Sequence, residues 1–230
     1  MKVIGLLGGM SWESTVSYYQ IINQQIKQQL GGLHSAKIIL YSVDFDEIER
    51  CQITGNWEKS AEILGNAAYQ LEQAGADFIL ICTNTMHKIA PQISNRLTVP
   101  LIHIADATTT ALKQQQIQRV ALLGTKYTML EDFYKQRIVE QGIDVIIPTK
   151  TDIEEINRII FTELCLGKIE VSSRRIFQRI IADLQQQGAE GVILGCTEIG
   201  LLIQQQDSVL PIFDTTELHA KRAVELALQE

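Results

Sequence analysis

Basic residues are in deficit: 20 Lys and Arg stand against 27 Asp and Glu, a formal charge of -7. With no basic stripe to neutralise phosphates, nucleic acid is excluded as a partner. The same charge disfavours an anionic membrane surface. No apolar run approaches the ~20 residues that a membrane helix needs. Only four prolines occur, and no Pro/Gly/Ser-rich linker marks a domain boundary. The four cysteines, Cys51, Cys82, Cys165 and Cys196, are far apart and never form CxxC. That excludes a zinc ribbon or a thioredoxin pair, and it fits a reducing, cytoplasmic setting. His87, His103 and His219 are scattered, with no HxxxH or Cys–His spacing for a metal. Neither GxGxxG nor GxxxxGK[ST] is present, so nucleotide binding has little support. The opening MKVIGLLGGM reads as a buried first strand, because Trp12 and Glu13 follow it without the small-residue cleavage site of a secretory signal.

What the chain does contain is alternation. Apolar runs at 3–9, 36–45, 76–85, 119–125, 143–149 and 191–198 are separated by amphipathic stretches near 14–30, 57–74, 130–141, 152–166 and 170–187. Short, continuous apolar strands between helices predict a parallel sheet covered on both faces. The composition, 46% hydrophobic and 20% charged, is that of a globular α/β protein. Glutamine triplets at 114–116, 185–187 and 204–206 fit polar helix ends.

The chain also repeats itself. LLG at 6–8 matches LLG at 122–124, and QLEQAGADFILICTNT (70–85) lies on DLQQQGAEGVILGCTE (183–198) at a constant offset of 113. Each copy is followed by an apolar stretch holding one Pro and then Asp, VPLIHIAD (99–106) and LPIFD (210–214). The expected architecture is two pseudo-symmetric open α/β lobes related by duplication. The first comprises 1–103 plus 208–230, and the second 104–207. In this alignment Thr83 is equivalent to Cys196. Both end a strand, the place where parallel sheets bind ligands, so facing lobes would put them on opposite walls of a cleft.

GLLGGMSWEST (5–15) places glycines between a strand and a helix, a loop that either presents N–H groups to a small carboxylate or simply turns the chain under a Ser11 or Ser14 cap. CTNTMH (82–87) offers backbone N–H groups, with Asn84 and Thr85, as carboxylate ligands or helix caps. Cys82, by strand alternation, faces away from Thr83 and packs in the core. In GCTEI (195–199), exposed N–H groups and a helix start are expected to lower the Cys196 thiol pKa. Thr197 and Glu198 flank it, with Glu198 placed to position a partner or the substrate amine. LLGTKYTM (122–129) mirrors the first glycine loop, so Thr125 and Tyr127 either bind ligand or cap.

Taken together, GLLGGMSWEST, CTNTMH, LLGTKYTM, GCTEI and LPIFDTT resemble the aspartate/glutamate racemase family, in that family's order and over essentially the whole chain. The resemblance implies two lobes, no cofactor, a homodimer, and an acidic amino acid as small-molecule partner. It also implies a cysteine from each lobe, one removing the α-proton and the other reprotonating the opposite face. Cys196 matches the second cysteine, but the first falls on Thr83, a hydroxyl that does not readily give up its proton. In the family the chain resembles, the second-lobe cysteine serves the L face, so the resemblance implies that L-substrates are deprotonated far better than D-substrates. By the same resemblance Met10 is a ligand-contacting position and Asn84 and Thr85 bind the α-carboxylate. Arg50, Gln52 and Lys168 are candidates for the distal carboxylate. The alternatives are a single-cysteine relative acting as decarboxylase or isomerase on another carboxylic acid, and a catalytically silent small-molecule sensor.

Overall fold

β1 (Ile4–Gly8) is buried at every position, as its unbroken apolar sequence requires. In the computed structural model, which describes residues 1–229, it is the second strand of a four-stranded sheet. α1 (Trp12–Leu30) follows, capped by Ser11, whose hydroxyl accepts from the Ser14 amide at 3.5 Å. β2 (Ile38–Ser42) leads to α2 (Phe45–Thr54) and α3 (Trp57–Gln73). β3 (Phe78–Ile81), a one-turn α4 (Ala90–Ser94) and β4 (Leu101–Ile102) complete the first half. The strand order is β2-β1-β3-β4, parallel throughout.

After α5 (Ile104–Gln114), the pattern repeats. β5 (Arg119–Gly124), α6 (Lys126–Leu130), α7 (Asp132–Val139), β6 (Asp144–Ile146), α8 (Lys150–Thr162) and α9 (Val171–Gln186) come next. β7 (Gly191–Gly195), the single-turn α10 (Ile199–Leu202), β8 (Ile212–Asp214) and α11 (Thr215–Leu228) end the described chain. The second sheet runs β6-β5-β7-β8, again all parallel. The registers agree with the internal repeat: Leu7 pairs with Ile81 in the first sheet and Leu123 with Leu194 in the second.

The chain divides into two units, 1–104 with 219–230 and 105–218. The return to the first unit therefore begins at His219, not near 208 as the sequence suggested. The reason is β8: Ile212–Asp214 pairs with Val192–Leu194, which keeps the second Pro-containing stretch in the second sheet. α2 was not expected at all, because its short, mixed-polarity sequence trails directly from a strand-like run.

Side chains alternate across the first sheet. Ile4, Leu6, Phe78, Leu80 and Cys82 pack on one face with Tyr18, Ile22 and Ile26 of α1 and with Ala220, Ala223 and Val224 of α11. Leu7, Ile79 and Ile81 pack on the other with Leu64, Ala68 and Leu71 of α3. Burying one such Ile or Leu side chain contributes about 1.5–3 kcal/mol. This packing fixes the strands, and so fixes where their carboxyl ends lie.

Candidate active site

The carboxyl end of β3 delivers the CTNT segment. The Cys82 amide donates to the Leu7 carbonyl at 2.9 Å, continuing the ladder one residue past the strand. Cys82 is fully buried in the apolar face described above, and burial pushes its thiol far above the ordinary range. It is packing, as the alternation of strand side chains predicted. Thr83, of opposite parity, is 9% exposed. Its carbonyl accepts from the His87 ring at 2.8 Å. Asn84 and Thr85 are buried at the start of a single 3-10 turn, Thr85–Ile89.

The glycine loop beside it is built for close packing. Gly9 has φ +92°, and a Cβ there would lie 2.3 Å from the Val43 carbonyl oxygen; a Cβ on Gly8 would meet Thr15. Both positions need glycine for the turn itself. The Gly9 amide donates to Thr15 Oγ1 at 2.9 Å, so that N–H already serves the turn. Met10 is buried in the core cluster of α3 and β3. On α2, Gln52 is buried and donates to the Met86 sulfur at 3.1 Å. Arg50 lies on the exposed side of that helix, ion-paired with Asp46 one turn earlier. The structure thus separates these two candidates.

In the second unit Gly124 and Gly195 face each other at the ends of β5 and β7. A Cβ on Gly124 would sit 2.7 Å from the Gly195 carbonyl oxygen, so this close approach also requires glycine. Cys196 follows immediately. Its Sγ donates to Glu198 Oε2 at 2.9 Å, and the Thr197 hydroxyl donates to the same oxygen at 2.9 Å. All three residues are buried. The expected lowering of the Cys196 pKa is corrected here. Burial first, then the Glu198 carboxylate, then Cys165, raise it well above the usual thiol range. The helix start that was expected to favour thiolate is only α10, one turn long, and it is outweighed. Cys196 rests as a thiol bonded to a carboxylate.

Thr125 is buried and caps α6, its hydroxyl accepting from the Thr128 amide at 3.3 Å. Tyr127 is half-buried, with Lys126 Nζ 5.1 Å from its ring. Lys168 is exposed in the turn before α9, its amide bonded to the Glu163 carbonyl. Asp106 and Asp214, which close the two Pro-containing stretches, differ in setting. The first is exposed and paired with Arg137, while the second accepts from the Thr216 and Glu217 amides at the start of α11.

Sequence reasoning missed the histidines. His87, His103 and His219, scattered along the chain, come together in the first unit: His87 lies 4.4 Å from His103 and 5.9 Å from His219, ring centre to ring centre. Only the folded chain carries that signal. Among the described residues no group of three or more His, Cys, Asp or Glu is arranged to hold a metal ion, and no helix is long and apolar enough to cross a membrane.

Two four-stranded parallel sheets of matching strand order define a duplicated α/β protein. The family model for Asp/Glu/Hydantoin racemase matches residues 7–223, and the chain belongs to that family. Among curated relatives, the broad specificity amino-acid racemase RacX of Bacillus subtilis is 23% identical over 96% of each chain. Among solved structures, a provisionally assigned Asp/Glu racemase of Yersinia pestis is 56% identical over both whole chains, with a TM-score of 0.92. An aspartate racemase homologue of Pyrococcus horikoshii is 38% identical, again over both whole chains, with a TM-score of 0.84.

Proposed function

We propose that this protein is a cofactor-independent racemase of acidic amino acids whose two faces are unequal. Cys196 exchanges the α-proton of the L-enantiomer, and Thr83 serves the opposite face. The observation that carries the reading is the 2.9 Å hydrogen bond from the Cys196 thiol to Glu198. A buried thiol needs an acceptor before it can act as a base, and Glu198 is that acceptor. The thiol proton passes to Glu198, leaving a thiolate and a carboxylic acid. The thiolate then takes the α-proton and becomes a thiol again, leaving a carbanion on the substrate. A proton delivered at Thr83, relayed by its hydroxyl from water, completes inversion, and Glu198 returns its proton to solvent. No electrons change hands. Asn84 and Thr85, next to Thr83, hold the α-carboxylate, and Gln52, Arg50 and Lys168 are the candidates for the distal one.

A second reading is a decarboxylase or isomerase of another carboxylic acid that uses Cys196 alone. Its support is the hydroxyl at 83 where the repeat provides for a second thiol.

The two readings are tested by α-proton exchange in D₂O, followed by NMR with L- and D-aspartate and L- and D-glutamate. The racemase reading expects exchange from an L-substrate, lost in Cys196→Ala. Absence of exchange from all four overturns it, and turnover of a malonate or maleate would then support the second reading.

A further inference from the structure

Two buried histidines of the first unit, His87 and His219, have ring partners that fix their protonation. A carbonyl only accepts and a backbone amide only donates. His87 Nδ1 lies 2.8 Å from the Thr83 carbonyl oxygen, so that nitrogen carries the hydrogen. The Ile104 amide donates to His87 Nε2 at 3.2 Å, so that nitrogen carries none. His87 is therefore a neutral imidazole of one defined tautomer, and it is 1% exposed. His219 is fixed in the same way. Its Nε2 faces the Ile102 carbonyl at 2.8 Å, and its Nδ1 lies 2.9 Å from the Tyr18 hydroxyl, which donates to it.

These bonds converge on one stretch of chain. Ile102 ends β4, and Ile104 is the last residue before the chain passes to the second unit. His219 is the first residue after it returns. Thr83 follows β3 on the neighbouring strand. His87 thus bonds the residue equivalent to Cys196 on one side and the outgoing chain on the other.

We propose that His87 is the positioning residue for Thr83: one ring nitrogen holds the Thr83 carbonyl and the other clamps the Ile104 amide, so a single uncharged side chain sets where the Thr83 hydroxyl stands. His219, through Ile102, braces the same strand end. The proposal deepens the reading above and depends on it only for the consequence in catalysis. An imidazolium at 87 would set an N–H against the Ile104 N–H and break the clamp, so the neutral form is part of the device. His87 touches no reacting atom. Its effect is confined to the face that Thr83 serves.

Two substitutions divide its two bonds. In His87→Asn the side-chain amide nitrogen falls near the position of Nδ1 and keeps the donor to Thr83. In His87→Gln the side-chain oxygen reaches the position of Nε2 and keeps the acceptor for Ile104. With an L-substrate in D₂O, wash-out of the α-proton reports Cys196, and appearance of the D-product reports delivery at Thr83. The expected result for His87→Gln is a fall in the ratio of D-product to wash-out of roughly 10- to 100-fold, with wash-out itself retained. His87→Asn restores the ratio to within a few-fold of wild type. Equal loss of wash-out and product, or a ratio unchanged in both variants, overturns the positioning role. The holding bonds are tested separately, in the unsubstituted protein and without substrate. Nitrogen-15 NMR of the imidazoles should show His87 as the neutral Nδ1–H tautomer at pH 7, and hydrogen exchange should show the Ile104 amide protected. Protection should drop by about tenfold in His87→Asn and less in His87→Gln. A charged or Nε2–H ring at 87, or an Ile104 amide that exchanges freely, overturns the clamp. If wild-type protein exchanges no substrate proton, the racemase reading fails, while the NMR result still decides whether His87 holds Thr83.

Discussion

The same scaffold ends in two different chemistries. In the first unit the residue after the strand end, Thr83, is anchored through its backbone carbonyl by a neutral imidazole. In the second unit its equivalent, Cys196, is anchored through its reactive side chain by a carboxylate. All four histidines of the chain fall in the first unit, and the carboxylate against the thiol lies in the second. Duplication therefore supplied two equal frames, with matching strand order and register, while side chains one to six residues beyond the central strands make the polar contacts differ. One end sets a thiol against an acceptor, and the other presents a hydroxyl.

The comparison breaks most sharply at Cys196. Cys196→Ala should abolish L-side exchange, a loss of about 10³-fold or more, with the fold retained; residual exchange at wild-type rates would remove the thiol from the reaction. Glu198→Gln comes next, lowering L-side exchange by about 10²-fold at pH 7. Removing a negative neighbour brings the raised Cys196 pKa back down, so this variant should recover activity as pH rises. A loss that does not change with pH would mean Glu198 only packs.

A third prediction concerns acid. Burial lowers the His219 pKa from 6.5 to about 3. Between those values the unfolded chain binds a proton that the folded chain refuses, so stability present above pH 6.5 is lost as pH falls, at about 1.4 kcal/mol per unit from this group. Urea unfolding of wild type and His219→Gln over pH 4–7 checks this, and equal slopes in the two would refute it. Smallest is Cys82→Ala. It should cost about 1–2 kcal/mol of stability and leave exchange unchanged, and a kinetic defect would reopen the role of this cysteine.

Much of this was legible beforehand. The strands, the repeat offset and the equivalence of Thr83 with Cys196 follow from unbroken apolar runs and glycine spacing, which directly reflect buried parallel strands. Cys82 as packing followed from alternation alone. The unit boundary was misread because a Pro-containing stretch like 208–214 shows no sign of which sheet it joins; only the pairing of Ile212 with Val192 decides that. The Cys196 pKa was misread because a helix start is visible in sequence, whereas burial against Glu198 is not. The histidine cluster was invisible for a related reason: residues 87, 103 and 219 meet only when β3, β4 and α11 pack together.

The most direct test of the unequal-face account is Thr83→Cys, assayed by α-proton exchange of D-aspartate and D-glutamate in D₂O beside wild type. The account predicts D-side exchange well above wild type in the variant, with L-side exchange by Cys196 maintained. A variant that gains nothing on the D side, while still exchanging L-substrates normally, would contradict the assignment of the second proton transfer to position 83.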